Sequence, residues 1–163
     1  MKFVSLSTAI ALTGWSERTF WRRFSDGSVT RIIDDGKSMV SFESIKTAVC
    51  IPLSEDASAL IERADKGHAE SQNDLALLFI EAGQSKGAVH WLENAAKQGH
   101  PDAMHWLARC YFEGSGIKRD ENLGMMWLAK AAAQGHVISQ GQMQAFLDRF
   151  VQNDQLKSPS HGN

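Results

Sequence analysis

A chain of 163 residues, 43% hydrophobic and 22% charged, has apolar material for one compact domain or two small ones, which excludes intrinsic disorder as its default state. Cys50 and Cys110 lie in separate segments without CxxC or His/Cys spacing, which argues against a disulfide scaffold or a zinc site and for free thiols. The net charge of -2 divides unevenly: residues 1–53 hold seven Lys/Arg against five Asp/Glu, or +2, and residues 54–163 hold ten against fourteen, or -4, so a nucleic-acid contact fits the head alone.

The N-terminal stretch MKFVSLSTAIALTG has a lysine followed by a mostly apolar run, as an export signal does. Ser5, Ser7 and Thr8 interrupt that run, and the one A-x-A element, Ala9-Ile10-Ala11, comes too early for a cleavage site. A cytoplasmic location is therefore expected, with export as the alternative. No run approaches the roughly 18 apolar residues of a membrane span.

Leu6, Ala9, Ile10 and Leu12, together with Phe3, recur at three- to four-residue spacing and predict a short first helix, which Thr13-Gly14 breaks. Ser16 is placed to cap a second helix over about Glu17 to Ser25, with Trp15 and Phe20 spaced as a hydrophobic staple. Phe20, Trp21 and Phe24 are expected inward and Arg18, Arg22 and Arg23 outward. Two β-prone runs flank Asp35-Gly36 in VTRIIDDGKSMVSF, a strong hairpin signal. Ser41 is then expected to cap a last helix containing Phe42, Ile45, Ala48 and Val49.

Helix, tight turn, helix, hairpin and helix make a winged helix-turn-helix. The order and the phrase ALTGWSERTFWRRFSDG resemble the MerR, AlpA and excisionase group of small DNA-binding domains, over roughly residues 4–50. The resemblance implies that the second helix enters the major groove and that the hairpin wing meets phosphate. It places Arg18, Thr19, Arg22 and Arg23 on the recognition helix and Arg31 and Lys37 on the wing. Guanidinium groups suit both tasks, since they read guanine bidentately and neutralise phosphate. Asp34 and Asp35 stand against this, because on the wing they repel phosphate.

Residues 51–56 read as a linker. Beyond them the chain repeats itself: WLENAAKQGH starts at Trp91, WLAKAAAQGH at Trp127, and a fainter ALIERADKGH at Ala59. Periods of this size mark stacked helix pairs. Gly67, Gly99 and Gly135 fall where helices must stop, Ala95, Ala96, Ala131 and Ala132 allow close approach, and Trp91, Trp106, Trp127, Leu92, Leu107, Leu128 and Tyr111 supply the surface that neighbours bury. The run from Ala103 to His136 closely resembles Sel-like repeats, relatives of the tetratricopeptide class, and the likeness extends over about residues 57–148. It implies an α-solenoid that binds a protein partner on its concave face.

The expected architecture is mainly α: a winged helix-turn-helix at 1–50, a linker at 51–56, a short Sel-like solenoid at 57–151 with its last helix as a cap, and a disordered tail at 152–163. His68, His100 and His136 share one repeat position, but equivalents a repeat apart lie too far from each other to hold one ion. His90 and His105 read as isolated. No HExxH, GxSxG, P-loop or dinucleotide fingerprint is present, so no enzyme, metal or cofactor is expected. The favoured reading is a bacterial-type DNA-binding regulatory adaptor, paired two-fold across half-sites. The alternatives are an interaction scaffold with a repurposed head, and an exported scaffold.

Overall fold

A computed structural model describes residues 2–157, and the side chains of all of these except 150 and 153–157. The head begins with a strand, β1 (Phe3–Ser5), not with the predicted helix. Ser5 ends the strand and caps α1 (Leu6–Thr13), its hydroxyl accepting from the Thr8 amide. Phe3 therefore belongs to the sheet. Gly14, at φ 68°, stops α1 in the left-handed conformation and donates its amide to the Ile10 carbonyl.

Helix α2 (Glu17–Ser25) is followed by the hairpin β2 (Arg31–Asp34) and β3 (Lys37–Ser41). Asp35 (φ 44°) and Gly36 (φ 72°) form its two-residue turn, with positive φ at both positions as a primed turn requires. Strand β3 lies in the middle of an antiparallel sheet ordered β1-β3-β2, so β2 is an edge. The predicted last helix of the head is reduced to one turn, α3 (Phe42–Ile45), and a 3-10 turn, Lys46–Ala48. Ser41 precedes α3 but makes no side-chain capping bond.

The body runs α4 (Glu55–Asp65), α5 (Ala69–Glu81), α6 (Ser85–Lys97), α7 (Pro101–Glu113), α8 (Glu121–Ala133) and α9 (Val137–Lys157), each helix packed on the next. Three residues join α5 to α6 and seven join α7 to α8, which accounts for the four-residue difference between the two sequence periods. Helix α9 continues to Lys157, past the Val151 boundary expected for the solenoid. The rest of the expected tail, 158–163, lies outside the described residues.

Residues 51–56 do not separate head from body. Ile51 is buried and Glu55 already starts α4. One core runs from Val4, Leu12, Phe20 and Ile45 of the head into Ile61, Leu75, Phe79, Trp91 and Leu107 of the body. The Cys50 amide donates to the Leu12 carbonyl at 2.8 Å. Asp65, at the end of α4, accepts from the Ser5 amide at 3.1 Å, the Ser5 hydroxyl at 2.6 Å and the Thr8 hydroxyl at 2.6 Å. A single acidic side chain thus clamps the start of α1 to the first helix of the body.

Candidate nucleic-acid interface

The head holds the residues with nucleic-acid chemistry. Ser16 caps α2 by accepting from the Thr19 amide at 3.2 Å, and the Ser16 and Thr19 hydroxyls are 2.9 Å apart. The cap therefore occupies Thr19, one of the six candidate contact residues. Trp15 and Phe20 meet with ring centroids 5.4 Å apart, the expected staple, and Phe20 is fully buried.

Arg18 and Arg22 lie one helical turn apart on the face opposite Phe20, both exposed and without an ion pair among the described residues. Arg23 departs from the expected outward arrangement. It follows Phe20 by three positions, so it shares the flank of the buried face, where its guanidinium lies 4.0 Å from the Trp15 ring centroid and its Nε is shielded from solvent. Trp21 departs in the opposite sense. It is 42% exposed, with Nε1 donating to Glu17 at 3.1 Å and the Arg31 guanidinium 4.9 Å from its ring. Arg31 also lies 5.4 Å from the Phe24 ring, so this cation ties the hairpin to α2. Lys37, Asp34 and Asp35 are exposed around the hairpin tip. Hydrogen bonds from Ser28, helped by nearby Arg23 and Arg22, hold the Asp26 carboxyl below its usual range, so a fixed negative charge stands at the end of α2.

In the body His68 stands before α5 without a side-chain capping bond, whereas His100 and His136 cap the helices that follow them. His100 precedes α7, its Nδ1 accepting from the Ala103 amide at 3.3 Å and its Nε2 lying 2.9 Å from the Glu70 carboxylate. His136 repeats the arrangement before α9, with Nδ1 accepting from the Ser139 amide at 3.1 Å and Nε2 3.6 Å from Asp102. His105, read as isolated, instead stacks on His136 at 4.4 Å between ring centroids, and both Nδ1 atoms lie 2.9 Å from the Ser139 hydroxyl. An Asp–His–Ser sequence of contacts results, but Ser139 is 0% exposed, so no substrate reaches its oxygen. Period reasoning missed this cluster because it crosses two repeats. Burial, then His136 and Arg109, pushes the His105 pKa down, and burial pushes the Cys110 thiol up to about 11, leaving it an un-ionised core group.

The body also carries an open groove of 460 Å³ lined by Lys97, Met104, Trp127 and Lys130, among others. The Lys130 ammonium lies 4.6 Å from the Trp127 ring centroid.

The Sel1 repeat profile matches residues 69–100 and 101–136, which are α5 with α6 and α7 with α8. The crystal structure of a Sel1 repeat protein from Oxalobacter formigenes is similar with a TM-score of 0.51 and 35% identity, over 53% of this chain and 26% of that one. That of a protective antigen present in uropathogenic Escherichia coli strains, which displays an SLR fold, is similar with a TM-score of 0.52 and 32% identity, over 57% of this chain and 21% of that one. Wolframin of Drosophila melanogaster is 39% identical over 64 residues, which are 33% of this chain and 8% of that protein. The chain thus spans 26% or less of the length of each of these relatives. Residues 69–136 form two Sel1 repeats of an SLR-like solenoid, and proteins of such repeats generally mediate protein–protein interaction.

Proposed function

We propose that this chain is a cytoplasmic adaptor that links a protein partner, held by the Sel1 repeats, to DNA, met by the head. The observation that carries the DNA part is the pairing of Arg18 and Arg22 on α2. They are exposed and unpaired among the described residues, while Phe20 on the opposite face anchors the helix in the core. Read as a winged helix-turn-helix, the turn at Gly14 sets α2 against α1, so that α2 offers its arginine face to a major groove. Arg31 and Arg23 lie beside α2, Arg23 contributing least because Trp15 and its own burial restrain it, and Lys37 is exposed at the hairpin tip. The protein partner has a candidate seat in the groove lined by Lys97, Met104, Trp127 and Lys130, where two ammonium groups and an indole suit an acidic, apolar-anchored segment.

Fluorescence anisotropy with mixed-sequence duplex DNA tests the reading. The wild-type chain is expected to bind, and the Arg18→Ala/Arg22→Ala variant to bind at least about ten-fold more weakly, each lost phosphate or base contact costing on the order of 1 kcal/mol. Equal binding by both proteins, or none by either, contradicts it.

A second reading, in which the head docks a protein, is favoured by one observation. The hairpin tip carries Asp34 and Asp35 beside exposed Ile32 and Ile33, a chemistry that suits a protein surface better than a phosphate backbone.

A further inference from the structure

Arg31 opens β2 and lies opposite Val40 of β3. Paired residues of an antiparallel ladder turn their side chains to one face, and Val40 is fully buried, so Arg31 leaves the sheet on the face that covers the core. Its guanidinium lies 4.9 Å from the Trp21 ring centroid and 5.4 Å from that of Phe24, two α2 residues whose rings meet edge to face at 5.5 Å. Trp21 is itself held, its Nε1 donating to Glu17 one turn earlier at 3.1 Å. No carboxylate pairs with Arg31 among the described residues, so the two rings are its partners.

Helical phase sets this seam beside the arginine face. At about 100° per residue, Glu17, Trp21 and Phe24 fall along the flank of α2 between buried Phe20 and exposed Arg18. The hairpin meets α2 along that flank, so the angle of the wing to Arg18 and Arg22 is set where Arg31 bridges the two elements.

We propose that Arg31 is a positioning residue: stacked over Trp21 and Phe24, it holds the hairpin at one angle to α2 and does not itself contact phosphate. The proposal rests on the DNA-adaptor reading and divides its candidate residues by role. Arg18 and Arg22 are the contacts, and Arg31 keeps the wing in step with them. A planar guanidinium stacks on aromatic rings, whereas an ammonium is a strongly hydrated point charge, so lysine replaces arginine poorly in such a seam and well at a phosphate.

Anisotropy with duplex DNA over a range of salt concentrations separates the two roles. Arg31→Lys keeps the charge and loses the stack, and Arg31→Gln loses both. Positioning predicts that both variants bind about five-fold more weakly than the wild type, with its slope of log association constant against log salt retained. A phosphate contact predicts instead an unchanged affinity for Arg31→Lys and a slope shallower by about 0.9 for Arg31→Gln, and either result overturns the proposal. Trp21→Leu is expected to weaken binding to the same extent, and adding Arg31→Lys to it to change nothing more, because the same seam is lost in both. Additive losses in the double variant would break the link between the two residues. Circular dichroism is expected to be unchanged throughout, since Arg31 and Trp21 are exposed. A wild-type chain that binds no DNA sinks the DNA reading and this role with it, whereas wild-type binding that Arg31→Lys leaves intact sinks this role alone.

Discussion

Arg18, Arg22 and Arg23 look equivalent in the sequence, and the fold makes them different. Helical phase alone sets Arg18 and Arg22 opposite Phe20, but the stacking of Arg23 on Trp15 depends on the turn before α2. Trp21 is the converse, an aromatic residue expected in the core and found on the surface beside Arg31. His105 was illegible for a different reason, since its partners are distant in sequence, His136 at the far end of the same repeat and Ser139 in the helix beyond it. The buried imidazole, 7% exposed, is held neutral, so its folded pKa lies below the ordinary value of 6.5. Its contribution to stability is complete above pH 6.5 and falls with pH through the window below, as the unfolded chain takes up a proton that the fold resists. His90, also depressed by burial, acts in the same direction. Thermal melts are expected to show a lower Tm at pH 5 than at pH 7, and His105→Asn a smaller drop. An equal drop in both proteins would show that His105 takes no part.

At the level of elements, the turns were the most legible features. Asp35-Gly36, Ser16 and the repeating Gly-His all act where local chemistry fixes the backbone. Strand β1 was not legible, because three residues leading into a helix carry no period of their own. They become a strand only through β3, with Phe3 opposite Ser41. Helix α3 fell short for a related reason, its Ser41 making no cap. The longer link between α7 and α8 was visible as four extra residues, but its packing was not. Gly116 lies there at φ 74°, where a Cβ would stand 2.3 Å from the Ser85 carbonyl oxygen of α6. Gly116→Ala is expected to destabilise the chain by about 2–4 kcal/mol, from left-handed strain and backbone collision together. A urea titration measures it, and a loss below about 0.5 kcal/mol would mean that the loop simply moves aside.

At the level of the whole molecule, the sequence reads as two grammars joined by a linker, and the structure is one body with one core. The joint was hidden because Asp65 lies 60 residues from Ser5, in a helix that reads as an ordinary repeat member. Asp65→Ala leaves three donors without their acceptor and is expected to cost about 2 kcal/mol. Tryptophan fluorescence and far-ultraviolet circular dichroism are expected to follow one coincident unfolding transition in the wild type, because head and body share their buried side chains. Separate transitions would return the head to independence. Under the adaptor function proposed above, a head held rigidly on the repeats fixes α2 relative to the protein partner. The salt dependence of DNA binding tests that reading most directly, as the slope of log association constant against log salt for the wild type and for Arg18→Ala/Arg22→Ala. A steep negative slope is expected for the wild type, shallower by about 1.8 in the variant, two phosphate contacts having been lost. A slope near zero in the wild type, or the same slope in both proteins, would contradict it.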